Sequence, residues 1–296
     1  MRISSASSPL DPAQAWSWIR QIAKAARDGE FEGTFYEGGR RLEVDPDGQW
    51  RCSVTVDAEA AQLFSIWLPW SVADTVRAPR VIAQIGQSLD GRIATASGAS
   101  HYVTGAASLV HLHRLRALVD AVVVGAGTVE ADDPQLTVRH VEGDNPLRVV
   151  LDPRGRVNPQ RGVFHRADAP AWHLIAHGSS VATATAEHVR VVSLEGGEQG
   201  IEPAAIIAAL AEAGHRRILV EGGGLTISRF LEAGCLDRLH SVVAPMLIGS
   251  GRPAITLPEI DTLAQALRPA CRHFSLGSDV LFDLDLRQRA DEMGTA

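Results

Sequence analysis

The sequence predicts an α/β protein whose core is a mixed, mostly parallel sheet flanked by helices, with a small α+β extension at the N terminus. After residue 78, short apolar runs alternate with helical patterns. Most of these runs are near-continuous in Val, Ile, Leu and Ala, which is typical of strands buried on both faces of a helix-covered parallel sheet. The last two runs alternate apolar and polar residues instead, which predicts an antiparallel edge.

The apolar runs predict these strands: Arg80–Ile85, Ala121–Gly125, Leu147–Asp152, Ala171–Ala176, Val189–Leu194, Arg217–Glu221 and Leu239–Ala244. Helical patterns predict three helices between them: Ala106–Val119, Pro203–Ala213 and Leu225–Ala233. A terminal hairpin is predicted from two alternating runs, His273–Leu276 and Val280–Leu286, around a turn at Gly277–Asp279.

The ends of the predicted helices carry residue types that favour capping. Thr104 precedes the first helix and is predicted to be its N-cap. Pro203 suits the first turn of the second helix, because its missing N–H is not needed there. Gly214 and Gly234 follow the second and third helices, where a left-handed residue commonly ends a helix.

Residues 1–78 have a different pattern and are expected to form an accessory segment, with a boundary near Arg77–Pro79. A helix is predicted over Asp11–Asp28, followed by a hairpin of Arg41–Val44 and Trp50–Val56 around the turn Asp45–Gly48. We expect four tryptophans of this segment to pack a small accessory layer, with a dimer contact or a lid over the active site as the alternatives. These tryptophans are Trp16, Trp50, Trp67 and Trp70.

The composition predicts an ordinary folded protein with a small-molecule partner. The chain has 296 residues, of which 45% are hydrophobic and 21% charged, and its net charge of −7 disfavours a nucleic-acid surface. Its 3 cysteines are far apart, which argues against a disulfide framework and a zinc site. We find no secretion signal and no apolar run of membrane-spanning length, so we expect a cytoplasmic enzyme without a membrane partner.

Two glycine-rich stretches follow predicted strands. Glu221–Gly224 opens a helix, where free N–H groups and the helix dipole favour a phosphate, although a tight turn without a ligand is the alternative. Gly125–Thr128 lies at the carboxyl end of another strand, where open α/β sheets bind ligands. Asp132 or Asp133, just beyond it, is a candidate acceptor for a ribose or an amide, and a solvent-facing turn is the alternative. The residues Gly86–Arg92 are interpreted as a loop with a turn at Asp90–Gly91.

The charged and aromatic candidates point to cofactor chemistry rather than to a protein nucleophile. Arg114, Arg116 and Arg139 are the basic candidates for holding an anionic substrate, since arginine binds phosphate with two parallel hydrogen bonds. His111 and His113 are two residues apart on a helix, so they face different directions and cannot share a metal. The sequence has no zinc-protease, zinc-deaminase, nucleophile-elbow or P-loop motif, which suits hydride transfer by a bound cofactor.

Five stretches, in this order, resemble the reductase domain of the bifunctional riboflavin-biosynthesis enzymes: Ser88–Arg92, Gly98–Ser100, Gly125–Arg139, Val220–Gly224 and Ala244–Gly251. The resemblance covers Arg80 to Leu286 and implies a reductase domain over residues 79–290. It implies a fold similar to dihydrofolate reductase, in agreement with the periodicity. The implied reaction is the NADPH-dependent reduction of 5-amino-6-(5-phosphoribosylamino)uracil to its ribitylamino product by a homodimer.

The resemblance also implies roles for individual residues. The substrate site would be lined by Ser100, Arg116, Leu136, Arg139 and Glu221, with Arg139 and also Arg116 near the phosphate. NADPH would be contacted by Gly86, Tyr102, Gly125, Gly127, Thr128, Asp132, Arg154, Gly222, Gly223 and Gly224. No general acid is implied, and no metal.

Three residues depart from the family's usual pattern. Gln84 stands where a lysine is common, and Tyr102 stands where tryptophan is common. A serine is common directly after the aspartate of the next strand, where this chain has Asp152, Pro153 and Arg154 in succession. We therefore expect Arg154 or Arg156 to meet the 2′-phosphate of NADPH. The family's usual N-terminal deaminase is not recognisable in residues 1–78, so we expect no deaminase activity from them.

Two alternatives remain at this stage. The first keeps the fold and the cofactor and changes the substrate to another pterin, pyrimidine or secondary metabolite, as Gln84 and the unusual N-terminal segment suggest. The second is a nucleotide-binding protein without catalysis, since a fold does not dictate a function. The joint presence of Asp132, Arg139 and Glu221 favours an enzyme over this second alternative.

Overall fold

The computed structural model describes residues 8–100, 103–181, 186–197 and 200–287. The chain divides into two compact units, Met1–Ala78 and Pro79–Ala296. Within the described residues, no helix combines the length and the apolar character needed to cross a membrane.

The first unit contains two helices and a small antiparallel sheet. In chain order its elements are α1 (Pro12–Arg27), β1 (Thr34–Glu37), β2 (Arg40–Val44), β3 (Trp50–Cys52) and α2 (Ala58–Ser71). The predicted helix and hairpin are present, and β2 lies between β1 and β3. Asp11 caps α1, because its side chain accepts a hydrogen bond from the backbone of Gln14 while the Gln14 side chain accepts one from the Asp11 backbone.

Aromatic side chains form the core of this unit. Trp18, which the sequence analysis did not single out, is 1% exposed and packs against Phe35 and Phe64 at centroid distances of 5.3 and 6.3 Å. Trp67 is fully buried and meets Trp16 edge-on at 6.3 Å. Such pairs add to the area burial of the rings, so the aromatic residues hold the two helices and the sheet together as one layer.

The second unit follows the α/β alternation that the sequence predicts. Its strands are β4 (Arg80–Ser88), β5 (Arg92–Ala94), β6 (Ala121–Gly125), β7 (Leu147–Leu151), β8 (Ala171–Ala176), β9 (Val189–Leu194), β10 (Gly196–Gly197), β11 (Gly200–Ile201), β12 (Arg217–Glu221), β13 (Arg238–Ala244), β14 (Arg252–Pro253), β15 (Ala270–Leu276) and β16 (Asp279–Asp285). Its helices are α3 (Ala106–Leu118), α4 (Ala126–Asp132), α5 (Gly162–His165), α6 (Pro203–Glu212) and α7 (Gly224–Glu232), with one 3-10 turn at Leu263–Gln265.

One sheet organises this unit, with the strand order β15-β16-β13-β4-β12-β6-β7-β8-β9. The strands from β13 to β9 are parallel, whereas β16 is antiparallel to both β13 and β15. The prediction of a mostly parallel sheet with an antiparallel edge is therefore confirmed. The central strands are buried on both faces, because Val122, Val123, Ile218 and Leu219 are all 0% exposed.

Some local predictions were wrong. Thr104 is not the N-cap of α3: the helix begins after Gly105, which has no side-chain cap of its own. Asp279 of the distant terminal hairpin caps the helix instead, since it accepts hydrogen bonds from the Gly105 N–H at 2.7 Å and from the Ser108 hydroxyl at 2.6 Å. Strand β4 also continues three residues past the predicted Ile85, and the segment before Asp133 forms the helix α4 rather than a turn.

A buried polar cluster lies at the antiparallel side of the sheet. His111 of α3 meets His240 of β13 with 3.0 Å between their ring nitrogens, and His240 lies 3.4 Å from Asp283 of β16. Arg238 and Arg272 also pair with Asp283. Burial opposes ionisation of Asp283, but its bonds with His240 and Arg238 keep its pKa below the ordinary range. Burial lowers the pKa of His111 and of His240.

These histidines predict that acid destabilises the fold. Because their pKa values are lower in the folded protein, the unfolded chain binds more protons below pH 6.5, and protonation draws the equilibrium toward unfolding. The free energy of unfolding, measured by urea titration at a series of pH values, is expected to fall as the pH drops below 6.5. Each depressed histidine contributes up to about 1.4 kcal/mol per pH unit. A His111→Gln variant should show a shallower slope, and an unchanged slope would contradict this assignment.

Candidate active site

The site predicted from the sequence lies at the edge where the parallel strands end. β12 stops at Glu221, which pairs in register with Gln84, whereas β4 continues to Ser88. The glycine-rich stretches that follow β12 and β6 therefore emerge beside the free end of β4. The carboxyl ends of parallel strands are the usual ligand-binding edge of an open α/β sheet.

The two glycine-rich stretches interlock through a pair of threonines. The hydroxyl oxygen of Thr128 accepts a hydrogen bond from the Gly223 N–H at 2.8 Å. A Cβ atom at Gly222, whose φ is +99°, would lie 2.8 Å from that same oxygen, and a Cβ atom at Gly125 would lie 2.5 Å from the hydroxyl of Thr226. Each stretch thus supplies a threonine that fits against a glycine of the other, and neither glycine tolerates a side chain.

The two interlocked stretches leave open space beside Gly127 for a ligand. A Cβ atom at Gly127 would meet nothing within 4 Å among the described residues. Helix α7 begins after Gly223 without a side-chain cap, so no N-cap side chain occupies its first N–H groups. A phosphate fits such an N-terminus, because the N–H groups donate to it and the helix dipole favours its charge.

An apolar cavity of about 180 Å³ adjoins the glycines. Its apolar lining includes Leu151, Ile206 and Phe230, and Arg229 is the charged residue among the described lining residues. Flat aromatic groups fit cavities of this kind, with a few polar groups to orient them. A second cavity, of about 190 Å³, lies at the opposite edge around Cys235 and contains none of the predicted site residues.

On the other side of the glycines, Arg116 and Glu221 form a buried ion pair. The Nη2 and Nε atoms of Arg116 donate to the two carboxylate oxygens of Glu221 at 2.7 and 3.3 Å. Their side chains are only 7% and 4% exposed. Arg116 also donates from Nη1 to the Thr137 carbonyl at 3.2 Å. The predicted substrate residues Arg116 and Glu221 are thus brought together, with Arg116 directed at the carboxylate.

The segment Leu136–Arg139 is held in an unusual conformation. Leu136 has φ +59°, the left-handed region that a side chain rarely adopts, and is 1% exposed. The Nη1 atom of Arg139 donates to the Thr137 hydroxyl at 2.8 Å. Its Nε and Nη2 atoms have no partner among the described residues. Burial and then the charges of Arg116 and Arg166 lower the pKa of Arg139, which marks a positive region suited to an anion.

The structure separates the roles of the two carboxylates after α4. Asp132 accepts a hydrogen bond from the Ser100 hydroxyl at 3.0 Å, so these two predicted site residues are brought together. Asp133 instead accepts from the Gly162 N–H at 2.7 Å and fixes the start of α5. Tyr102, predicted to contact the cofactor, lies outside the described residues.

Gly86 and Arg154 complete the predicted set. A Cβ atom at Gly86 would lie 2.8 Å from the Thr104 side chain, which shows how closely the segment before α3 approaches β4. Arg154 is exposed and makes no hydrogen bond to the glycine-rich stretches among the described residues. It follows Pro153, which lines the apolar cavity, and the turn that carries it is held by Asp152, whose carboxylate accepts from Val157 and bonds with His173.

Sequence reasoning missed the polar row that leads into the site. Side chains of residues paired in register point to the same face of a sheet. Asp283 pairs with His240, His240 pairs with Gln84, and Gln84 pairs with Glu221, so four neighbouring strands carry these polar groups on one face. Each of them stands alone in a different stretch of sequence, and only the strand order brings them together.

It also missed the function of Asp90 within the motif Ser88–Arg92. The Asp90 carboxylate accepts from the Ser88 hydroxyl at 2.5 Å and from the N–H groups of Ile248 and Gly249 at 3.1 and 2.7 Å. The bond with Ser88 and those backbone bonds lower the pKa of Asp90 to about 2. This motif therefore ties the loop after β13 to the loop after β4, and the aspartate acts as a clamp.

A comparison with known protein families shows which family this chain belongs to. The model of the RibD C-terminal domain matches residues 79–282. The chain belongs to the RibD C-terminal domain family. The matched range spans the whole sheet from β4 into β16 and includes every predicted site residue. The resemblance noted in the sequence is thereby confirmed.

Two curated relatives differ in how much of their own length this chain covers. The 2,5-diamino-6-ribosylamino-4(3H)-pyrimidinone 5′-phosphate reductase of Methanothermobacter thermautotrophicus is 34% identical over 216 residues, which are 71% of this chain and 99% of the relative. The riboflavin biosynthesis protein RibD of Bacillus amyloliquefaciens is 37% identical over 175 residues, 58% of this chain. The chain spans 47% of that RibD, about half its length.

Two solved structures have a similar fold over most of this chain. The deaminase/5-amino-6-(5-phosphoribosylamino)uracil reductase of Thermotoga maritima superposes with a TM-score of 0.60 at 26% identity. The superposition covers 78% of this chain and 64% of that one. RibD of Acinetobacter baumannii gives a TM-score of 0.59 at 28% identity, over 78% and 65% of the two chains. These RibD chains are longer than the region they share with this one.

The interlocked glycines predict a matched pair of variants. Thr128→Val removes the acceptor of the Gly223 N–H while keeping the volume, whereas Thr128→Ser keeps the hydroxyl. The first is expected to weaken binding of a nicotinamide dinucleotide about tenfold, because the glycine turn loses the hydrogen bond that fixes it, and the second to stay within about twofold of wild type. Calorimetric titration measures both affinities. A loss in Thr128→Ser with none in Thr128→Val would show that the methyl group, and not the hydroxyl, holds the turn.

Proposed function

We propose that this chain reduces 5-amino-6-(5-phosphoribosylamino)uracil, or its 2-amino counterpart, to the ribitylamino product with NADPH, as a step of riboflavin biosynthesis. Family membership supports reduction of a phosphorylated ribosylaminopyrimidine, since two relatives carry such names. One observation carries the proposal: three features lie at one edge of the sheet. They are the Arg116–Glu221 ion pair, the interlocked glycines, and Arg139, whose Nε and Nη2 atoms have no partner among the described residues.

The residues present fit a dinucleotide. The open space at Gly127 and the uncapped start of α7 suit a pyrophosphate, and the apolar cavity beside them suits an adenine ring. Gly125, Thr128 and Gly222–Gly224 would hold the phosphates. When bound, NADPH supplies the hydride that the reaction needs. The fit favours an extended nucleotide whose far end reaches the exposed Arg154.

The residues on the other side of the glycines fit a phosphorylated sugar attached to a heterocycle. Arg139 keeps two donor nitrogens free for a phosphate, and Arg116 and Arg166 add positive potential there. Glu221 and the hydrogen-bonded pair of Ser100 and Asp132 offer acceptors for ring amino groups and sugar hydroxyls. Orienting two reactants in this way is worth about 7–11 kcal/mol of barrier in favourable cases. The chain's own contribution is therefore placement.

The direct experiment follows the absorbance loss of NADPH with freshly prepared 5-amino-6-(5-phosphoribosylamino)uracil. Wild type is expected to turn over. Arg139→Ala is expected to lose about ten- to hundredfold in kcat/KM, because a charge-assisted bond to the phosphate is gone. Arg139→Lys keeps the positive charge but cannot form two parallel hydrogen bonds, so its kcat/KM should lie between those of wild type and Arg139→Ala. Full activity of Arg139→Ala would show that Arg139 does not bind the substrate phosphate.

A second candidate substrate is the 2,5-diamino pyrimidinone, which has an amino group in place of the uracil 2-oxo group. The relative of which this chain spans 99% is named for it. Running both compounds in the same assay ranks them by kcat/KM. Tight NADPH binding without turnover of either would favour another pterin or pyrimidine substrate. Absence of NADPH binding as well would favour a protein without catalysis.

The choice of NADPH over NADH is expected to depend on Arg154. A guanidinium at this exposed position can bind the 2′-phosphate that distinguishes the two cofactors. Arg154→Gln should raise the KM for NADPH about tenfold and leave that for NADH unchanged. Arg156→Gln, the same change two residues along at another exposed arginine, is the matched control. The roles are reversed if only Arg156→Gln shows the effect.

A further inference from the structure

His113 is a buried histidine next to the phosphate-facing arginine. It lies on α3 with 0% exposure, three residues before Arg116. Its Nδ1 atom accepts a hydrogen bond from the backbone N–H of Arg139 at 2.9 Å. Residues three apart on a helix share a face. Helix α3 therefore holds the segment Leu136–Arg139 at two points, through Arg116 at the Thr137 carbonyl and through His113 at the Arg139 N–H.

This segment needs such support. It has no helical or strand pairing of its own, and Leu136 stays in the left-handed region. Its other backbone tie is the Val138 N–H, which donates to the Asn145 side chain at 2.8 Å. A strained segment keeps its conformation only when its surroundings over-determine it. Without His113, the Arg139 N–H would lose its acceptor, and the direction of the guanidinium would no longer be fixed at the backbone.

The surroundings of His113 keep the ring in the state that can accept. Burial, and then the charges of Arg116 and Arg139, lower its pKa to about 3, and His140 packs edge-on at a centroid distance of 4.5 Å. A protonated ring would turn Nδ1 into a donor facing another donor. The neutral ring instead carries its proton on Nε2, which has no partner among the described residues. Burial, together with the same two arginines that attract an anion, thus keeps the ring of His113 neutral.

We propose that His113 is a positioning residue that aims Arg139 at the substrate phosphate. The proposal rests on the proposed function, because it takes Arg139 to be the phosphate ligand. His113 touches neither the phosphate nor the cofactor in this account. Its contribution is an acceptor at one point in space, so the position of the acceptor atom decides the outcome of a substitution.

Two amide variants separate the position of the acceptor from its polarity. The amide of His113→Asn places an oxygen close to where Nδ1 stands, whereas the longer His113→Gln places it near Nε2. We expect His113→Gln to raise the KM for 5-amino-6-(5-phosphoribosylamino)uracil about tenfold or more, with a smaller change in kcat, and His113→Asn to restore most of the loss. The dephosphorylated substrate should not distinguish the two variants. Arg139→Ala should make His113→Gln nearly silent, because the two act through one contact.

The controls exclude a general loss of structure. His111→Gln changes another buried histidine of α3, which contacts His240 rather than Arg139, and should not act selectively on the phosphorylated substrate. NADPH affinity should stay the same in all the His113 variants. The proposal is overturned if His113→Asn is as impaired as His113→Gln, if both lose the phosphorylated and dephosphorylated substrates equally, or if the effects of His113→Gln and Arg139→Ala multiply.

A separate measurement distinguishes this proposal from the proposed function. If wild type oxidises no NADPH with either pyrimidine, the proposed function fails whatever His113 does. Amide hydrogen exchange at Arg139 then reads the contact itself. Exchange is expected to be slow in wild type and His113→Asn and faster in His113→Gln. Equal exchange rates at the Arg139 amide in the three proteins would show that His113 does not hold this N–H, even in an active enzyme.

Discussion

The buried ion pair of Arg116 and Glu221 is the interaction on which the candidate site depends. It joins the main covering helix to the last residue of a central strand, directly before the glycine turn. A buried pair of this kind adds little net stability, because desolvation of both charges offsets their attraction. Its value is geometric: both carboxylate oxygens are engaged, and the third guanidinium nitrogen fixes the Thr137 carbonyl. The strand end, the helix and the segment Leu136–Arg139 are thus tied at one point.

The rest of the site is arranged around this point by close packing and by hydrogen bonds between residues far apart in the sequence. Thr128 and Thr226 fit against glycines of the opposite turn, so the two stretches can only come together in one way. Asp90 clamps the neighbouring loops, and Asp279 caps α3 from the terminal hairpin. Residues from distant parts of the chain therefore position each loop of the edge, as expected when loops carry the function and the sheet carries the stability.

The sequence predicted the central sheet well because its strands are buried on both faces. Near-continuous apolar runs such as Ala121–Gly125 and Ala171–Ala176 coincide with the observed strands to the residue. The boundaries that failed depend on partners far along the chain. The start of α3 is set by Asp279, and the length of β4 is set by its pairing with β13. No local pattern contains that information.

The site could be predicted only as separate candidates. Glycines after strands indicated where a ligand would lie, but not that Thr128 of one stretch supports Gly223 of the other. His113 was interpreted only as an unsuitable metal ligand, because its partner is a backbone N–H that the sequence does not show. Gln84 and His240 gained meaning from their register beside Glu221. A buried polar residue is informative once its neighbours are known.

The most direct test of this account replaces both members of the ion pair at once, as Arg116→Met with Glu221→Leu. Removing a whole buried pair often leaves stability unchanged or improved, so the double variant should fold and still bind NADPH. Because the strand end and the segment Leu136–Arg139 would no longer be tied, kcat/KM for the phosphorylated ribosylaminopyrimidine is predicted to fall about a hundredfold or more. A folded double variant that keeps wild-type turnover would contradict the central role given to this pair.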